Sequence, residues 1–473
     1  MTNTKSRHAV ENAKRMEKDS MGEIEVDAAQ LWGAQTERSR RNFKIGNQLM
    51  PIEIIHAIAL IKKAAACANY DCNVLSIDKK KAITEACDKI IDGQLDDAFP
   101  LPIWQTGSGT QTNMNVNEVI SNYVEKVRHK RIPDYSEGRF LHPNDDVNMS
   151  QSTNDVFPTA IRVASTQMIV GMLLPALESL NGALLDKSLE FAGIVKVGRT
   201  HLMDATPLTL GQEFSAFASQ ISHDIATIHN TRHHLIELPL GGTAVGTGLN
   251  TPENYATTAV NYICDFTGME FTTARNKFEA MASHDSIVEL SGALKRTAVS
   301  LMKIANDIRL LSSGPRCGLN ELILPANEPG SSIMPGKVNP TQCEAVAMVC
   351  CQVIGNDTAI TAGGMQGHLQ LNVFMPMIAK NIIESIRLLA DAVRSFTQNC
   401  INGILPNTAR MKENLSHSLM MVTALNPKIG YAQSAKIAQY AFEHNLSLKE
   451  AALELQLVTE EEFDQWVDPL KMC

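Results

Sequence analysis

Five stretches of this chain repeat apolar residues at steps of three and four, and their length leaves few folds open. The first reads Phe157, Ile161, Ala164, Met168, Met172, with Pro175 expected to disturb it. The second reads Leu210, Phe214, Phe217, Ile221, Ile225, Ile228, and the third Ile287, Leu290, Leu294, Leu301, Ile304, Ile308, Leu311. A fourth follows Pro340 with Val346, Val349 and Val353, and a fifth reads Ile382, Ile386, Leu389, Val393, Phe396. All follow the 3.6-residue period of a helix with one buried face. Helices of roughly 25–35 residues, about 40–50 Å long, form an elongated bundle rather than a globule. Small residues beside the main stripe, such as Ala216, Ala218 and Ala226, leave apolar surface on a second side. A rod of that kind buries its remaining apolar surface against copies of itself, so a homo-oligomer is expected.

Composition agrees with a mainly α protein. Aromatics are only 5% while Met reaches 21 of 473 residues, a balance that disfavours sandwiches and barrels. Net charge is −9, without basic blocks, which excludes sequence-independent nucleic-acid binding as the main function. No uninterrupted apolar run reaches the ~18–20 residues that span a bilayer, so no membrane partner is expected. The N-terminal MTNTKSRHAVENAKRMEKDS has no apolar core of signal-peptide length. The ten cysteines include no CxxC pair. With no signal sequence, they read as reduced thiols of a cytoplasmic protein.

The chain divides into a mixed, mostly helical segment (1–151), the long-helix bundle (152–407) and a small helical tail (408–473). Loops of unusual polarity join the long helices. They are Thr106-Gly-Ser-Gly-Thr-Gln-Thr112, His142-Pro-Asn-Asp-Asp146 running on to Ser152-Thr-Asn154, Gly198-Arg-Thr-His-Leu-Met-Asp204, and Gly330-Ser-Ser-Ile-Met-Pro-Gly-Lys-Val-Asn-Pro340. They offer hydroxyls, amides, one lysine and a histidine with little negative charge, a set suited to an anionic ligand. In the last loop, backbone N–H groups around Ser331 and Ser332 can form a nest that stabilises an alkoxide, and Lys337 adds charge. It is not a P-loop, because Val338 follows Lys337 where Ser or Thr is required.

The Gly330–Pro340 segment resembles the signature loop of the fumarase/aspartase superfamily, and the other three polar segments resemble that family in the same order. Three details resemble class II fumarases more than aspartases: His201 after Gly198-Arg-Thr, Gly336 before Lys337, and Thr341-Gln-Cys-Glu344. The resemblance implies a three-domain fold with a central bundle of five long helices. It implies hydration of fumarate to L-malate, as in the tricarboxylic acid cycle, by anti addition through an aci-carboxylate, with no cofactor or metal. Ser331 then matches the base that takes the C3 proton. His201, with Glu344, matches the group that positions or protonates the departing water. Lys337 and Asn339 match groups holding a substrate carboxylate. Ser108, Thr110, Ser152, Asn154 and Thr200 match substrate-binding side chains, and Thr153 stands where many family members have a second serine. His142, Asn144 and Asp145 match a secondary anion site. The resemblance also implies a homotetramer whose sites are shared between subunits.

Other readings compete. Aspartate ammonia-lyase is the near alternative, and His201 is the residue that separates the two. A catalytically dead scaffold of the same fold is the distant one, opposed by the intact Ser331, Lys337, Asn339, His201 and Glu344. His229 and His233 stand four apart on a helix without a third ligand and read as a solvated face. Arg199 reads as a structural or electrostatic residue.

Overall fold

The computed structural model describes residues 13–473; the first twelve residues, and the reading made of them, lie outside the described part. The chain opens with an antiparallel hairpin, β1 (Lys14–Asp19) and β2 (Gly22–Asp27). Four helices follow: α1 (Ala34–Asn42), α2 (Ile52–Asp71), α3 (Ile77–Ile91) and α4 (Thr110–His129). Then come α5 (Thr153–Met168), a π-helical turn (Ile169–Leu173) and α6 (Leu174–Glu190). A second hairpin, β3 (Val195–Thr200) and β4 (Met203–Thr209), leads directly into α7 (Leu210–Leu235). The shorter α8 (Tyr255–Thr267) and α9 (Lys277–Ala282) precede α10 (Asp285–Leu311), α11 (Thr341–Gly364) and α12 (Met375–Asn399). The fold is therefore mainly α, with five long rods where the sequence period places them.

Most stripe positions are buried as the period demands. All seven residues read on α10 and all five on α12 are below a tenth exposed. Three stripe positions, Ile225, Met172 and Val349, are only half-buried, and the first two have physical causes. On α7, Ile225 is only half-buried, while Asp224 beside it is fully buried and pairs with Arg296 at 2.7 Å. On the first rod, Met172 is half-buried and Leu173 takes the core position. The π turn adds one residue just before Pro175, which lacks an N–H and whose ring would collide with the carbonyl four residues back. The extra residue moves the buried stripe one place along, and it continues at Leu177, Leu180 and Leu184.

Two helices are long and apolar enough to cross a membrane by length and composition: Thr153–Glu190 and Thr341–Gly364, with mean hydropathies of 1.6 and 1.3. They escape a search for uninterrupted apolar runs because Ala, Val, Met and Cys outweigh scattered polar residues. In the first, Asp155 and Arg162 are buried within the fold. On α11 the apolar residues are spread around the whole circumference, and Met348 remains 69% exposed.

The chain clusters into two compact units. One takes in residues up to Leu173 with Ile228–Lys295 and Gln352–Arg387; the other comprises Leu174–Thr227, Arg296–Cys351 and Leu388–Cys473. The end of the second unit holds a small core of its own, including Leu425, Ile437, Ala451 and Phe463. All ten cysteines are free; of the vicinal pair, Cys350 is buried and Cys351 exposed.

Candidate active site

In the first unit, Gly107 and Gly109 set the polar loop at the start of α4. A Cβ on Gly107 would lie 1.5 Å from the Val373 carbonyl oxygen, and the Gly107 carbonyl itself accepts the Met375 amide at 3.0 Å. Gly109, at φ +75°, precedes the first turn of α4, where a Cβ would meet the Phe157 ring at 2.4 Å. This close packing holds Ser108 and Thr110, whose hydroxyls are 2.8 Å apart, at a helix N-terminus that favours negative charge.

Ser152 caps α5. Its hydroxyl accepts the Asn154 amide at 3.2 Å, and Asp155 accepts the Ser152 amide at 2.9 Å in return. The second Asp155 oxygen accepts the amides of Gly241 and Thr243, both at 2.9 Å, while the Asn154 side chain donates to the Ala244 carbonyl at 2.8 Å. Thr153 points inward: it is 7% exposed, and its hydroxyl oxygen accepts Asn113 Nδ2 at 2.9 Å. Burial pushes the Asp155 carboxyl up to about 6 against the hydrogen bonds that hold it down.

His142 begins a π turn, Pro143–Val147. Its Nδ1 accepts the amides of Asn144 and Asp145 at 3.3 and 3.2 Å and also lies 3.2 Å from Asp145 Oδ2. His142 and Asn144 border a cavity of about 290 Å³ whose other walls include Glu17, Asp19 and Arg139. Among the described residues no group of three or more His, Cys, Asp or Glu side chains is placed to hold a metal ion.

In the second unit, Thr200 ends β3 and His201 sits at the hairpin tip. His201 and Leu202 both have positive φ, +56° and +63°, and Thr200 pairs with Met203, the geometry of a two-residue type I′ turn. Neither residue is one that this turn normally selects, which is why the sequence did not announce the hairpin. Behind the tip, Arg199 pairs with the buried Glu321 at 2.8 Å, and Lys196 bridges Glu321 (3.1 Å) and Glu213 (2.9 Å). Glu321 anchors the hairpin from the chain segment leading to the signature loop. A lone glutamate in a loop gives no sequence signal of that role.

The signature loop is closed by its own bonds. The Gly330 amide donates to the Lys337 carbonyl at 2.9 Å, and the Asn339 side chain donates to the Gly330 carbonyl at 2.6 Å. Inside it, Ser331 Oγ accepts the amides of Ile333 and Met334 at 3.2 and 3.0 Å. Two fixed N–H donors on one hydroxyl oxygen favour its deprotonated form. Lys337 is exposed, and α11 starts at Thr341, one residue after Pro340, with Glu344 exposed on its first turn. Within this unit, among the described residues, no hydrogen bond or ion pair joins His201 to Ser331, Lys337, Asn339 or Glu344. The ring and the carboxylate are both left facing outward.

A family model described as "Lyase" matches residues 22–355, and one for the fumarase C C-terminus matches residues 421–473. The chain is 58% identical over 459 residues to the class II fumarate hydratase of Pasteurella multocida, covering 97% of this chain and 98% of that protein. It is 56% identical over 461 residues to that of Haemophilus influenzae, covering 97% and 99%. Among solved structures, the class II fumarase of Schistosoma mansoni superposes with a TM-score of 0.92 at 42% identity, covering 97% and 99%. A fumarate lyase:delta crystallin from Brucella melitensis bound to cobalt gives 0.92 at 44% identity, with the same coverage.

Proposed function

The chain belongs to the lyase family that includes the class II fumarate hydratases, and on that premise we propose how its residues divide the reaction. It is a hydro-lyase that interconverts fumarate and malate. The named relatives are hydratases, so the ammonia-lyase alternative is not favoured.

In the dehydration direction, Ser331 takes the C3 proton of malate. The electron pair left behind enters the neighbouring carboxylate, forming the aci-carboxylate with two negative charges. The C2–O bond then breaks, the C2–C3 double bond forms, and hydroxide leaves as water with a proton from His201, which Glu344 orients. A proton alpha to a carboxylate is very weakly acidic, so the site must stabilise charge that exists only in the intermediate. Lys337 and Asn339 supply that stabilisation, at about 3–4 kcal/mol for a preorganised donor. Ser108, Thr110, Ser152, Thr153, Asn154 and Thr200 hold the substrate, and His142, Asn144 and Asp145 form a second anion site.

The observation that carries this reading is the Ser331 hydroxyl, clasped by two amides in a loop that also holds Lys337 and Asn339. The unpartnered His201 and Glu344 support a site completed by other subunits. The apolar circumference of α11 supports their assembly into a homotetramer. We place the enzyme in the cytoplasm, with no membrane or nucleic-acid partner and no cofactor, and divide it into the domains 1–151, 152–407 and 408–473. The test follows fumarate absorbance with malate or aspartate offered separately, with and without EDTA. Fumarate should form from malate alone and at an unchanged rate in EDTA; formation from aspartate, or loss in EDTA restored by a metal, would overturn the respective parts.

A further inference from the structure

We infer that Lys62 is a positioning residue for the turn Ser152–Asn154, acting through Asn148 and Asn113 on Thr153. The inference rests on the reading of that turn as substrate-binding. Lys62 lies on α2 and is fully buried. Its Nζ donates to Asn148 Oδ1 at 2.7 Å. The same oxygen accepts Asn113 Nδ2 at 3.2 Å, and that nitrogen also donates to Thr153 Oγ1 at 2.9 Å. Asn148 Nδ2 in turn donates to the Gln151 carbonyl at 3.2 Å, at the threshold of the turn. Asn69, seven residues on and so on the same face of α2, grips the same loop. It donates to the Met149 carbonyl at 3.0 Å and accepts the Ser150 hydroxyl at 2.7 Å.

A lysine is a costly choice for this place. Burial pushes its ammonium down to about 7, with Asp155 and, more weakly, Cys87 opposing the change. A methionine of similar length would fill the space without burying a charge. What the lysine adds is a strong donor aimed at Asn148 Oδ1, the oxygen on which the Asn113 and Asn117 side chains also converge. With that donor absent, Asn148 Oδ1 keeps only its two longer bonds, from Asn113 and Asn117 at 3.2 Å each, and the restraint on Thr153 weakens. The cost then falls on substrate binding rather than on the proton transfer at Ser331.

Lys62→Met separates this role from a merely structural one. KM for fumarate and malate should rise about tenfold, with kcat within about threefold of the parent and a melting temperature equal or higher. Thr153→Val should raise KM as well, and the double variant should add little to either single change, because both cut one relay. If Lys62→Met leaves KM within twofold while Asn154→Ala raises it, the Lys62 relay is refuted and the binding role of the turn stands. If Asn154→Ala and Ser152→Ala also leave KM unchanged, the reading of the turn itself falls. Additive effects in the double variant would overturn the relay too. Should Lys62→Met not fold, Asn113→Leu cuts the relay from its other end without stranding a charge, and an unchanged KM there is equally decisive against it.

Discussion

The Gly330 amide and the Lys337 carbonyl meet at 2.9 Å, so the two ends of the segment carrying Ser331 are tied across their own backbone. Asn339 adds a second tie to the Gly330 carbonyl. Any motion of this segment therefore carries Gly330–Lys337 as one piece, and the two donors on Ser331 travel with it.

Replacing Ser331 with Ala removes the oxygen those donors serve. Turnover should fall about a thousandfold or more, the upper range for loss of a general base. Stability should change by less than about 0.5 kcal/mol, because the freed amides lie in an exposed loop where water replaces the hydroxyl. Steady-state kinetics beside thermal denaturation checks both; near-normal turnover would remove Ser331 from the base role.

Subunit sharing has a direct test. Ser331→Ala and His201→Asn proteins, each inactive, should regain activity when unfolded together and refolded as mixed oligomers. If the two residues at one site come from different chains and assembly is random, about a quarter of the sites are intact. If one chain supplies both, every site carries a lesion, and hybrid oligomers would stay inactive.

Gly107→Ala should disrupt the start of α4. The added methyl would fall on the Val373 carbonyl oxygen, which is backbone and has no rotamer to adopt. The expected cost is about 3 kcal/mol, at the upper end of overpacking penalties, with a drop in kcat/KM as Ser108 and Thr110 shift. Chemical denaturation and kinetics on the variant decide it; an unchanged midpoint would show that the loop yields.

Acid sensitivity should trace in part to His284. The ring is 1% exposed, neither nitrogen has a hydrogen-bond partner among the described residues, and burial, assisted by the Arg162 charge, pushes its pKa down from 6.5 to about 3. Between those values the unfolded chain binds a proton that the folded chain refuses. Stability therefore falls as pH drops below 6.5, by about 1.4 kcal/mol per unit from this group, or about 2 kcal/mol by pH 5. His284→Leu should lose less stability than the parent over that window. Parallel pH profiles of the two would count against the assignment.

The long helices were legible because one-sided burial leaves a period in the text: the stripe positions on α10 and α12 are all buried. The signature loop stood out as a polar connector punctuated by Gly and Pro, and its functional reading came from the family resemblance rather than from composition. The hairpin bearing His201 was not legible, because its turn uses His and Leu at positive φ instead of Asn and Gly. Lys62, Glu321 and Asp224 were not either. A buried charge is placed by partners distant in sequence, and Asn148 stands 86 residues from Lys62. Thr153 is an intermediate case: its neighbours mark the turn, but only the fold shows its hydroxyl facing inward.

The π turn at Ile169–Leu173 makes the first rod two reading frames spliced into one. Upstream, the stripe is phased to Phe157 and Met168; downstream, it is phased to Leu173 and Leu184. Deleting any single residue of that turn would restore an unbroken α-helix and return the core position to the Met172 phase. Leu177, Leu180 and Leu184 would each shift one place in number and stay on the face they share with Phe157 and Met168. A one-residue deletion here should therefore be far better tolerated than one elsewhere in the rod, where no surplus residue exists and the downstream stripe would turn by about 100°.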